Sequence, residues 1–132
     1  MTKVYQALAS LVDARQRSIE RGNDEWVGKH EERIADIVSE HLPSGSGFDS
    51  GTVLDLDESK PDRLVFVTSF HHMTEHGYYD GWTGHNVIVT PSLAHGFNLR
   101  VTGRDRNEIK EYIEETFQYA LDTEQREYLV SR

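Results

Sequence analysis

The sequence predicts an α+β domain in the order ααββββα, a four-stranded antiparallel meander with two N-terminal helices and one C-terminal helix. Three observations carry this. Apolar residues recur at helical spacing up to Leu42, and again from Ile109 onward. Between them, short runs of strand-forming residues alternate in polarity. A Gly/Ser cluster at 43–51 separates the two regimes.

In the first helix Val4, Leu8, Leu11, Val12 and Ile19 mark one face. Gly22 supplies its stop. Asn23 supplies a fresh N-cap, and Asp24 and Glu25 suit the positive end of the helix that follows. Trp26, His30, Ile34, Ile37, Val38 and His41 fall on one face of that second helix, which Pro43 ends. Residues 1–42 thus form a helical hairpin whose apolar faces need a partner. PSGSGFDSG at 43–51 is a loop with Phe48 turned into the core; its amides and hydroxyls also resemble an anion nest, though it leads into a strand where phosphate loops lead into a helix.

The sheet spans 52–103. TVLDLD (52–57), RLVFVTSF (63–70), HNVIVTPSL (85–93) and FNLRVTG (97–103) are its strands, with Phe97, Leu99 and Val101 directed toward the helices. Asp105 and Glu108 make a capping-box-like start to the last helix, 104–130, where Ile109, Ile113, Phe117 and Leu121 recur every four residues. His30 and His41 read as hydrogen-bonded boundary residues, and His95 as part of a tight link. No repeat or internal boundary interrupts the 132 residues, so a single domain is expected.

Composition excludes several function classes. There is no cysteine, hence no disulfide, thiolate zinc site or cysteine nucleophile. A formal net charge of −9, spread along the chain, reads as a solubilising surface and argues against a nucleic-acid partner. The N-terminus lacks a signal peptide's uninterrupted apolar core, and no stretch is long and apolar enough to span a bilayer. The expectation is a cytoplasmic protein with no membrane partner.

Function concentrates in SFHHMTEHGYYDGWTGH, residues 69–85. Strand two is expected to end near Phe70 and strand three to begin near His85, leaving a connection far longer than a hairpin needs. Three chemistries compete for it. A metal could draw on His71, His72, His76, His85, Glu75 and Asp80. Yet consecutive strand residues point to opposite faces, and no recognised ligand spacing occurs, so no metal ligand and no cofactor is assigned. Catalysis could pair a histidine with Asp80 or Glu75, with Ser69 as nucleophile. No GxSxG elbow is present, and no catalytic residue is assigned. Binding is the third chemistry. Tyr78, Tyr79 and Trp82 offer stacking surfaces, while His71, His72, His76, His85 and Asp80 can read the polar edge of a ring. The competing role for Tyr79 and Trp82 is to anchor the loop against the sheet. Arg100, Arg104 and Arg106, in RVTGRDR, are the phosphate-binding candidates, with salt bridging to Asp105 and Glu108 as the competing role.

The segments GSGFDSGT (45–52), LVFVTSFHHM (64–73), YDGWTGHNVIVTPSL (79–93) and VTGRDRNEIKEYI (101–113) resemble a family of small phage- and prophage-encoded proteins. The likeness covers the C-terminal two-thirds of the chain. The family carries no assigned activity, so no residue role transfers. The resemblance implies an accessory protein in the host cytoplasm that counters host defence, either by inhibiting a host protein or by sequestering a nucleotide-like small molecule.

The sequence thus points to a non-enzymatic binding protein. One alternative is a metal- or histidine-dependent enzyme acting on a small phosphorylated substrate. Another is a structural or interaction protein with no small ligand. Because LVFVTSF is apolar on both faces while the helices cover only one, a homodimer or higher homo-oligomer is expected.

Overall fold

The computed structural model describes residues 3–44, 48, 51–73, 79–92 and 96–130, without the side chains of 71–73, 79–82 and 122–130. The elements are α1 (Lys3–Glu20), α2 (Asp24–His41), β1 (Thr52–Leu54), β2 (Leu64–Met73), β3 (Tyr79–Ser92), β4 (Gly96–Thr102) and α3 (Asn107–Val130). The strands form one antiparallel sheet in the order β1-β2-β3-β4. This is the ααββββα arrangement the alternating and helical periods predict.

The turn between the helices is set by local chemistry. Gly22 adopts φ 69°, the left-handed conformation that ends a helix without a Cβ clash. Its N–H donates to the Ile19 carbonyl at 3.0 Å, and the Asn23 N–H donates to the Ser18 carbonyl at 2.9 Å. Those two bonds are the Schellman pattern. Asn23 then starts α2, its Oδ1 accepting from the Trp26 N–H at 3.3 Å. One residue therefore closes α1 and caps α2.

Helices and sheet meet over one core. Leu64, Phe66, Val87, Val89 and Phe97 face Leu8, Ile34, Val38, Ile113 and Phe117, all buried. Burying side chains of this size is worth roughly 1.5–3 kcal/mol each before chain entropy is counted. Phe48 is 1% exposed and belongs to this core, where it meets Phe70 and Phe117 edge-on. Leu99 and Val101 pack against the core from β4 as expected.

Three sequence expectations shift. First, β2 runs on through Met73 and β3 begins at Tyr79, so the expected long connection is mostly paired strand. Secondly, the helical stripes are longer than the core they serve. Ile19 and Trp26 are 43% and 48% exposed, and no residue between Val12 and Ile34 is buried. The far half of the helical hairpin stands clear of the sheet. Thirdly, the Ile109 and Lys110 N–H groups donate to the Arg106 carbonyl, which makes Arg106 the cap of α3. Asp105 precedes that cap, and its carboxylate reaches elsewhere.

Candidate functional site

The site is an arm built from β2 and β3. β1 stops pairing at Thr68, and β4 stops at Asn86. Beyond them β2 and β3 continue to pair with each other, through Ser69↔Gly84, Phe70↔Thr83, His71↔Trp82, His72↔Gly81 and Met73↔Tyr79. The register shifts between His72 and Met73, a bulge of the kind that twists a ribbon. The strand persists through His71 and His72, the condition under which consecutive residues alternate between faces.

Two features fix the arm's root. One is aromatic: the Phe70 ring lies 5.4 Å from Phe48 and 5.7 Å from Tyr112 of α3, both nearly perpendicular. The other is polar. His85 shares the inward parity of Val87 and Val89 and is 2% exposed. Its Nδ1 lies 3.1 Å from the Thr102 carbonyl oxygen, and its Nε2 lies 2.9 Å from Asp105 Oδ2. A carbonyl can only accept, so Nδ1 carries a hydrogen and donates. Nε2 and Oδ2 stand at hydrogen-bonding distance, and the other carboxylate oxygen accepts from the Arg106 N–H at 2.8 Å. The two side chains are 0% and 5% exposed. Together they tie the arm to the β4–α3 turn.

Gly103 makes this approach possible. It sits at φ 130°, and a Cβ there would lie 2.6 Å from His85 Nδ1 and 2.9 Å from the Gly84 carbonyl oxygen. Only glycine satisfies both the dihedral and the space.

Of the histidines, aromatics and Asp80 predicted to bind a ring, His85 is the one whose side chain is described, and it is enclosed with both ring nitrogens occupied. It offers no free nitrogen to a ligand, a metal or a substrate proton. His71, His72, Tyr79, Asp80 and Trp82 lie on the paired arm, their side chains outside the described set; His76, Tyr78 and Glu75 lie outside it entirely, as does His95. Arg100, Arg104 and Arg106 are exposed, and none forms an ion pair with another described residue, Asp105 and Glu108 included. Among the described residues no group of three or more histidine, aspartate or glutamate side chains is placed to hold a metal. None of the described helices is long and apolar enough to cross a membrane. Ser69, half-buried on β2, faces Gly84 in the register, not a histidine.

The clamp and the exposed tyrosines of α3 escaped sequence reasoning. Tyr112 is 42% exposed and Tyr119 69%. They are seven residues apart on one helix face, with Tyr112 against the root of the arm. The signal for His85 was its parity with Val87 and Val89.

Compared with known proteins, the chain matches no family model, no curated protein and no solved structure.

Proposed function

We propose that this chain is a non-enzymatic binding protein, a phage-type accessory protein that engages a host protein through the β2–β3 arm. The observation that carries the reading is the arm itself. Five residue pairs, Ser69 through Met73 on the β2 side, continue past the last contacts with β1 and β4. A ribbon that runs on past its sheet neighbours offers strand edges of the kind an extended segment of a partner uses when it adds as a strand. Tyr112, against the root of the arm and 42% exposed, adds aromatic area of the kind that anchors interfaces.

A nucleotide sponge using RVTGRDR would want its arginines enclosed in a pocket, whereas Arg100, Arg104 and Arg106 are exposed. A proton-shuttling histidine needs a free nitrogen, whereas His85 has both ring nitrogens engaged, so this residue does not support the enzyme reading.

The test is affinity capture from bacterial cytosol with the full chain and with a Trp82→Ala/Tyr112→Ala variant of unchanged melting temperature. Any retained protein is then titrated against both. The expected result is one stoichiometric partner whose affinity falls about 10-fold or more in the variant. Equal affinity for both overturns the role of the arm. A sample that holds no protein but releases a stoichiometric small molecule in native mass spectrometry overturns it in favour of sequestration.

A further inference from the structure

We propose that the α1–α2 corner is a second binding site, one for a small aromatic anion of the size and chemistry of a nucleoside monophosphate. It is independent of the β2–β3 arm. The corner is the part of the helical hairpin that the core leaves uncovered, since no residue between Val12 and Ile34 is buried. Between the two helices lies a depression of about 320 Å³, lined by Arg17, Ser18, Arg21, Asn23, Trp26 and His30. Sites for small organic ligands start at about 300 Å³, which fits one mononucleotide and little more.

The lining divides by chemistry. Arg17 and Ser18 come from the last turn of α1 and Arg21 follows its end, its N–H still donating to the Arg17 carbonyl at 3.1 Å, so the three are neighbours at helical spacing. Arg17 is held by Asp13 at 3.0 Å, but both side chains are more than half exposed, and such a pair exchanges readily for a phosphate. Arg21 is exposed and has no ion pair with a described residue. The two guanidinium groups and the Ser18 hydroxyl supply donors suited to phosphate oxygens. Asn23, whose Oδ1 is fixed on the Trp26 N–H, keeps its amide NH₂ for a further acceptor.

Across from these, Trp26 and His30 supply the ring surface. Trp26 is 48% exposed, unusual for the largest side chain, which is highly buried on average. The imidazole of His30 lies 5.6 Å from it, tilted by 34°. The Lys29 ammonium stands 4.6 Å from the indole centroid and is tied to Glu25 at 3.2 Å, but like Glu25 it does not line the depression. Stacking of a base on such a surface is worth roughly 1–3 kcal/mol, and phosphate contacts alone would not distinguish a nucleotide from inorganic phosphate.

The chain as a whole repels anions at −9, but charges more than a Debye length of about 10 Å away are screened at 0.1 M salt. Asp24 and Glu25 begin α2 but do not line the depression. Binding therefore rests on the direct contacts, and the ring is what selects the ligand.

The experiment uses the full chain carrying Trp82→Phe, which leaves Trp26 as the sole tryptophan, since the chain has two. Adenosine monophosphate, adenosine and inorganic phosphate are titrated against Trp26 emission. The monophosphate should quench saturably with a midpoint below about 1 mM, and adenosine and phosphate should each bind at least about 10-fold more weakly. Arg21→Ala, or Arg21→Gln if the alanine variant melts early, should raise the midpoint about 10-fold. No saturation by about 10 mM overturns the site. So does a midpoint unchanged by loss of Arg21, or phosphate binding as tightly as the nucleotide. None of these outcomes bears on the arm.

Discussion

Two close contacts between a basic and an acidic side chain root the two hairpins of this fold. His85 and Asp105 meet at 2.9 Å at the base of the β2–β3 arm, and Arg15 and Glu31 meet at 2.8 Å across α1 and α2. The distances are nearly equal, but the surroundings are not. The first pair is 0% and 5% exposed, the second 18% and 41%. In the interior, each partner has given up water and depends on the other; at the surface, water replaces a lost partner at little cost. Burial, not contact length, decides how far each hairpin depends on its pair.

The largest expected effect follows from that contrast. His85→Ala removes the imidazole that meets Asp105 Oδ2 in an enclosed site and frees the Thr102 carbonyl. It should cost about 3–5 kcal/mol in urea denaturation, and Asp105→Ala should cost a similar amount. The two losses should not add, because either one alone already dismantles the clamp; the double variant should sit close to either single one. A loss below about 1 kcal/mol for His85→Ala would place this pair with the surface pair and erase the distinction.

Gly103→Ala approaches the same clamp from the other side. The new methyl would meet His85 Nδ1 at 2.6 Å and would sit on a backbone at φ 130°. An expected loss of about 2–3 kcal/mol combines dihedral strain with displacement of the ring. In the His85→Ala background the ring is gone, so the same substitution should cost less; an undiminished cost would mean that the Gly84 carbonyl and the dihedral carry the effect.

The order of elements was legible in the sequence because period and polarity state it directly. The same signals identify a face without stating how much of it finds a partner. Ile19 and Trp26 continue the stripes of α1 and α2, yet the sheet beneath extends only far enough to bury the residues up to Val12 and from Ile34. The arm was hidden for a different reason. Residues 71–73 and 79–84 carry histidine, glycine and polar groups in place of an apolar alternation, so their pairing, which comes from backbone bonds, left no pattern to read. His85 was grouped with its neighbours in the histidine-rich stretch. Its position two before Val87 gave it the inward parity, while Asp105, its partner, is twenty residues away and is met only through the turn at Gly103.

A third test compares a hydroxyl–carbonyl anchor with these two pairs. The Tyr5 hydroxyl donates to the Pro61 carbonyl at 3.1 Å and joins α1 to the β1–β2 connection. Burial, aided by the negative charge of Asp62, pushes its ionisation up from 10.0 to about 12. The folded state thus holds this proton more tightly than the unfolded chain. The stabilisation is complete below pH 10 and is lost as pH rises toward 12. An alkaline loss on the order of 1 kcal/mol is expected after allowance for solvent screening. Tyr5→Phe should start about 1 kcal/mol lower at neutral pH and lose that alkaline component. An unchanged alkaline profile in Tyr5→Phe would assign the transition to another group.

The smallest expected effect completes the comparison. Arg15→Ala should cost less than about 1 kcal/mol, because Glu31 is left largely hydrated at 41% exposure. Part of even that loss will be the packing of the Arg15 stem, since its side chain is only 18% exposed. Salt separates the two contributions. In about 1 M salt the Debye length falls to roughly 3 Å, so the charge component should shrink while the packing component remains. Arg15→Met keeps most of the stem without the charge and should show little dependence on salt. The cost of His85→Ala, measured across the same salt series, should hold nearly constant, since counter-ions do not reach a pair enclosed to this degree. If salt instead weakened the buried pair as much as the exposed one, the β2–β3 root would have to open to solvent in the native ensemble. The arm would then be a hinged element in place of a fixed one.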